Sequence, residues 1–145
     1  MKVLIVDDTE DVRTLLRMAL TIAGIEAVEA HEGPTALEML ADGVHPDLVL
    51  LDVQMPVMDG WRVLEEIRRA PWTHDLPVIM CTVKSRPEDM LKGWELGCDG
   101  YVSKPFDLGA LVMTIEQVVA RAPRDREAAR EDQRTYLRET ISGRT

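Results

Sequence analysis

Asp7, Asp8, Asp52, Thr82 and Lys104 are the residues of this sequence best suited to chemistry, because each follows a short apolar run. Three carboxylates brought to one place repel each other, and removal from water makes the repulsion worse. A divalent cation resolves that conflict. An oxygen-only donor set without His or Cys suits magnesium, with manganese as a substitute. Such a cation keeps waters that a phosphate oxygen can replace. Lys104 adds a point charge for another phosphate oxygen, and Thr82 adds a hydroxyl donor. Together they stabilise charge on a transferring phosphoryl group, with Asp52 as the natural nucleophile. Taken singly, the signals are weak. An Asp-Asp pair after a strand is often only a helix cap, a Thr there only a β-former, and a Lys only a solvated charge. Their joint occurrence at four strand ends carries the reading.

The elements that must position them follow from hydrophobic period. Lys2–Val6, Asp47–Asp52 and Pro77–Thr82 read as buried strands, Ile25–Ala30 as an outer strand, and Gly100–Ser103 as a short fifth. Between them run helical patterns. The first is offered an N-cap by Thr9 and ended by Gly24. The others span Pro34–Asp42, Trp61–Arg69, Glu88–Leu96 and a last one from Asp107 or Leu108. Five strand–helix alternations argue for a parallel sheet with helices on both faces, and in such sheets ligands bind outside the carboxyl ends of the strands.

Composition narrows the class. The chain has 145 residues and a net charge of −9. The charge is uneven: residues 1–120 hold ten basic and 21 acidic residues, whereas residues 121–145 hold seven arginines and five acids. The acidic body disfavours direct nucleic-acid binding. No run of about 18 apolar residues exists and the N-terminus lacks signal-peptide architecture, so no membrane span and a cytoplasmic location are expected. Cys81 and Cys98 read as buried reduced thiols, and His31, His45 and His74 as surface residues. Trp61 and Trp94 lie on helices as packing residues, and Trp72 lies in a loop.

Several segments closely resemble the receiver domain of bacterial two-component response regulators of the chemotaxis-regulator type. They are Leu4–Asp8, Asp52–Gly60, Cys81–Thr82 and Gly97–Phe106, and the likeness covers residues 1 to about 120. The resemblance implies a flavodoxin-like (βα)5 fold with strand order 2-1-3-4-5. It implies Asp52 as phospho-acceptor and magnesium held by Asp8, by Asp7 largely through water, by Asp52 and by the backbone carbonyl of Gln54. Lys104 would pair with phosphate, and Thr82 and Tyr101 would form the switch, with Lys104–Pro105 cis. The partners implied are a sensor histidine kinase or phosphotransfer protein, and a downstream protein or output domain. A homodimer through the last two receiver helices is a further option. The chain would catalyse only its own phosphorylation and dephosphorylation. Val83, Gln54 and Lys84 occupy positions that tune hydrolysis in the family, and the bulk of Val83 is expected to alter phosphoryl lifetime.

Two other readings compete. A magnesium phosphohydrolase of the haloacid-dehalogenase type would carry its nucleophile after the first strand and bear a cap, whereas here the candidate follows the third strand. A phosphorylation-independent binding module would be expected to lack one of the key residues, and all are present. The receiver is expected to span residues 1–122, with 123–145 a charged tail or linker. Arg124–Ile141 has good helix propensity and the Glu127–Arg130 and Glu131–Arg134 pairs at helical spacing. It reads as a solvated helix, with a partner- or dimer-contacting helix as the alternative.

Overall fold

The computed structural model describes residues 1–143. Its elements are β1 (Lys2–Val6), α1 (Glu10–Ile22), β2 (Glu26–Ala30), α2 (Gly33–Ala41), β3 (Leu48–Leu51), α3 (Gly60–Arg69), β4 (Val78–Thr82), α4 (Pro87–Leu96), β5 (Gly100–Ser103), α5 (Leu108–Ala120) and α6 (Pro123–Ser142). The five strands are parallel in the order β2-β1-β3-β4-β5, the flavodoxin-like arrangement.

Alternation along the strands divides the core in two. Leu4, Val6, Val49, Leu51, Val78 and Met80 face α2, α3 and α4, in a cluster that includes Val63, Leu64, Ile67 and Trp94. Val3, Ile5, Leu48, Leu50 and Ile79 face α1 and α5, against Leu16, Leu20, Leu111 and Ile115. The central strands are buried on both faces, which is why they read as continuous apolar runs. Val6 pairs with Leu51 in register, so Asp7 and Asp52 leave the sheet side by side.

Two expectations need correction. Thr9 stands at the N-cap of α1, but its hydroxyl makes no capping bond. Instead its N–H donates to Asp7 Oδ1 (2.9 Å), and Arg13 Nη1 donates to the Asp7 carbonyl (2.7 Å). The loop is therefore held by its own acid and by the first turn of α1. The second correction concerns the tail. Residues 123–142 are helical and the Glu127–Arg130 and Glu131–Arg134 pairs form, yet the helix is not solvated all round. It packs along α4, and Leu137 is buried in the same core cluster as Trp94. Burial of one such leucine contributes about 1.5–3 kcal/mol, more than the exposed ion pairs that the sequence displays. The apolar pattern hides this because a single leucine, not a repeated apolar stripe, enters the core there.

Candidate functional site

The site lies at the carboxyl ends of β1, β3, β4 and β5. β1 delivers Asp7 and Asp8, β3 delivers Asp52, β4 ends in Thr82, and Lys104 follows β5. Carboxylate oxygens of Asp7, Asp8 and Asp52 lie within 4.8 Å of one another. Asp7 and Asp52 are buried and Asp8 is exposed. Both Asp7 oxygens are engaged, Oδ1 by the Thr9 N–H and Oδ2 by Lys104 Nζ at 2.7 Å. Lys104 Nζ also reaches Asp52 Oδ2 at 3.3 Å. One ammonium is thus shared by two buried acids and sits closer to Asp7. The Lys104–Pro105 bond is cis, as the resemblance implies.

The electrostatics follow from that sharing. Burial pushes the Asp52 carboxyl above its ordinary value. Lys104 opposes the shift, the Asp7 charge adds to it, and the Thr82 hydroxyl and Gln54 N–H pull it down. Lys104 is itself held above its usual range: burial works against its charge, but the Asp7 hydrogen bond and the Asp52 charge outweigh it. Lys104 bonds Asp7 more closely than Asp52, and its charge does not offset the burial of Asp52, which stays under-compensated. An oxygen-only cluster with surplus negative charge fits a hard divalent cation.

The loop after Asp52 is built to stay close. Gln54 N–H donates to Asp52 Oδ1 at 3.3 Å. Gly60 N–H donates to the Val53 carbonyl at 2.8 Å, and a Cβ on Gly60 would fall 2.1 Å from the Asp52 carbonyl oxygen. Only glycine fits there. Val57, at the loop's tip, holds φ of 71° and is exposed; a β-branched residue in that region is strained, and such strain concentrates at functional loops. Met55 is buried beneath the loop, and Met58 packs on the same cluster.

Thr82 is fully buried and its Oγ1 accepts from Lys84 N–H at 3.3 Å. Tyr101 lies half-buried on β5, and its hydroxyl donates to the Lys84 carbonyl. The loop that follows Thr82 is therefore tied at Lys84 to both proposed switch residues. Burial pushes the Tyr101 hydroxyl well above its ordinary pKa. Val83, next in sequence to Thr82, is 57% exposed. Cys81 and Cys98 are free and buried, and burial pushes the Cys81 thiol up to about 12, so it stays protonated. All three histidines are exposed, as is Trp72. A groove of about 420 Å³ between α1 and α5 is apolar and holds none of these residues.

Sequence reasoning assigned no role to a second polar centre. Asp99, at the opposite edge of the sheet, accepts from Arg68 Nη2 (2.9 Å), the Val78 N–H (3.0 Å) and Arg130 Nη1, with Arg126 Nε 3.6 Å away. Arg126, Arg130, Arg134 and Arg138 recur every four residues, a ladder on one helix face that the sequence displays beside the Glu127–Arg130 and Glu131–Arg134 pairs.

Comparison with known proteins agrees with this fold. The response regulator receiver domain family matches residues 3–116. The transcriptional regulatory protein CpxR of Klebsiella pneumoniae is 41% identical over 121 residues, covering 83% of this chain and 50% of its own. The transcriptional activator protein IrlR of Burkholderia pseudomallei is 42% identical, covering 83% and 51%. The chain spans about half the length of these curated relatives. Among solved structures, the chemotaxis protein CheY4 of Vibrio cholerae superposes with a TM-score of 0.76 at 32% identity, covering 81% of this chain and 97% of its own. A putative response regulator from Chloroflexus aurantiacus gives 0.79 at 33%, covering 83% and 98%.

Proposed function

The chain belongs to the response regulator receiver domain family, and from that membership we propose that it is a magnesium-dependent aspartyl-phosphate switch in which Asp52 accepts a phosphoryl group from a histidine kinase or phosphotransfer protein. The observation that carries the reading is the buried, under-compensated Asp52 carboxylate, within 4.8 Å of Asp7 and Asp8 and 3.3 Å from Lys104. An Asp52 oxygen attacks the phosphorus of a phosphohistidine, forming the O–P bond as the P–N bond breaks and the imidazole leaves. Lys104 takes one phosphoryl oxygen and Thr82 donates to another. Asp7, Asp8, Asp52 and the Gln54 carbonyl would hold the magnesium ion, which supplies positive charge against the phosphoryl oxygens. Manganese, an equally hard oxygen-binding cation, would substitute.

The chain acts on no separate substrate and catalyses only its own phosphorylation and dephosphorylation. Movement of Thr82 toward the phosphoryl group pulls on the Lys84 loop and costs Tyr101 its hydrogen bond, which biases a two-state equilibrium. The setting is the cytoplasm, and among the described residues no helix is long and apolar enough to cross a membrane. The output is a downstream protein or an output domain. The relatives named as transcriptional regulators are about twice as long, so the exclusion of nucleic-acid contact is kept to the acidic body.

Acetyl phosphate with and without magnesium, read by intact-mass spectrometry, tests the reading. One added phosphoryl group is expected, dependent on the metal and lost in Asp52→Asn. No labelling, where a known receiver is labelled, would reject it in favour of a binding module.

A further inference from the structure

Helix α6 lies beyond the residues the receiver family matches, and the superposed receivers CheY4 and the Chloroflexus protein cover only 81% and 83% of this chain. Its place on α4 therefore needs its own account. The arginine ladder makes the contact. Arg126 Nη2 donates to the Asp75 carbonyl at 2.6 Å, Arg130 pairs with Asp99, and Arg134 Nε donates to the Trp94 carbonyl at 3.1 Å. Arg138 lies 3.9 Å from Glu95, and Leu137 is buried with Trp94. Arg134, Arg138 and Leu137 thus meet α4 itself, while Arg126 and Arg130 fasten the first half of α6 beside it, to Asp75 and Asp99.

The same helix α4 is connected to the phosphoryl site. A Cβ on Gly93 would come within 3.1 Å of the Tyr101 ring, so that ring lies directly against α4. Tyr101 in turn donates to the Lys84 carbonyl, and Lys84 N–H donates to Thr82. Asp52, Thr82, Lys84, Tyr101 and α4 form one series of contacts, and α6 packs on that same helix. The α6 interface is also the least complete part of the interior. Among the described residues, the two buried side-chain polar atoms without a hydrogen bond are Trp94 Nε1 and Arg126 Nε, and both lie there. With Trp94 Nε1 lacking a hydrogen bond and Arg126 Nε held only by its 3.6 Å ion pair to Asp99, this interface is cheaper to open than the sheet core.

We propose that α4 presents a helix-docking surface that this chain's own α6 occupies, and that α6 docking and phosphorylation of Asp52 oppose each other. The inference rests on the switch function proposed above. Any shift of α4 that follows Thr82 and Tyr101 breaks contacts that α6 makes in the unphosphorylated arrangement. The coupling free energy is reciprocal: what phosphorylation costs α6 docking, α6 docking costs the phosphorylated form, so loosening α6 favours that form.

The test uses the full chain at steady state with acetyl phosphate and magnesium. Intact mass reports the phosphorylated fraction, and amide hydrogen exchange is read on the same sample. Exchange across residues 127–142 is expected to speed up about fivefold or more on phosphorylation. The Arg130→Gln/Arg134→Gln variant is expected to reach a higher phosphorylated fraction at limiting acetyl phosphate. Phosphorylation with unchanged or slower exchange in α6 would overturn the coupling and leave the switch intact. A chain that takes no phosphoryl group would overturn both. Should the double variant fail to fold, exchange in the unsubstituted chain decides alone.

Discussion

The two ends of the sheet carry opposite charge arithmetic. At the carboxyl edge lie three carboxylates, and the two buried ones share one lysine. At the amino edge one buried carboxylate, Asp99, gathers three arginines and a backbone N–H. The first arrangement leaves negative charge unmet and the second leaves none. A fold does not gain stability from an uncompensated buried acid, so the first edge is kept for what binds or reacts there. The second joins α3, β4 and α6 through a single side chain and has the marks of a structural fastening. The contrast teaches that burial alone does not mark a functional acid; what marks it is burial with too few cations.

The largest effect that separates the two edges comes from Asp99→Ala. Removing one partner of a buried charge cluster typically costs about 3–5 kcal/mol, because the opposite charges stay behind. Thermal unfolding should show a fall of roughly 10 °C, and α6 should lose exchange protection first. A change near zero would mean that the arginines find water as readily as they find Asp99, and the contrast would collapse. Magnesium should act at the other edge alone. At about 100 times its Kd it should add roughly 2.7 kcal/mol, with the gain much reduced in Asp8→Asn and unchanged in Arg130→Gln. An equal gain in Asp8→Asn would place the cation elsewhere.

Much of this contrast was legible before any coordinates. The five strands and the residues at their carboxyl ends follow from short apolar runs broken by Gly and Pro, and the strand order from the resemblance that the Asp52–Gly60 and Gly97–Phe106 motifs carry. These signals are local, so the chain displays them directly. The amino edge was not legible in that way. Asp99 was part of a recognised motif, yet its partners come from residues 31 positions away on either side, Arg68 and Arg130. No local pattern reports a contact at that separation. The docking of α6 was missed for a related reason: its charged composition reads as a solvated helix, and the long arginine stems that cover α4 count as polar in any hydrophobic tally.

A smaller effect of opposite sign is expected at Asp52. Burial, with the Asp7 charge behind it, raises this carboxyl above its ordinary 3.8. The folded chain therefore holds the Asp52 proton more tightly than the unfolded chain does. The cost is absent below the ordinary value and complete above the raised one, so stability falls as pH climbs through that window. Asp52→Asn should then stabilise the metal-free fold at neutral pH by about 1 kcal/mol, a few degrees in Tm. A destabilised Asp52→Asn would make the two edges alike and break the comparison.

The smallest effect sharpens the comparison from within α6. Glu127 accepts from Arg130 and Arg134, and the Arg130 hydrogen bond above all holds its carboxyl below the usual range. Its side chain is 57% exposed, however, and water screens the pair. Glu127→Gln should therefore cost at most about 0.5 kcal/mol at neutral pH. The sign follows from the depressed value: the contribution is present above the ordinary carboxylate pKa and lost as pH falls through the lowered one. The stability difference between Glu127→Gln and the unsubstituted chain, followed by urea unfolding from pH 7 downward, should shrink toward zero. Arg130 has two acidic partners, one exposed and one buried. A Glu127→Gln loss as large as that of Asp99→Ala would shift the fastening of α6 from the buried acid to the surface pair.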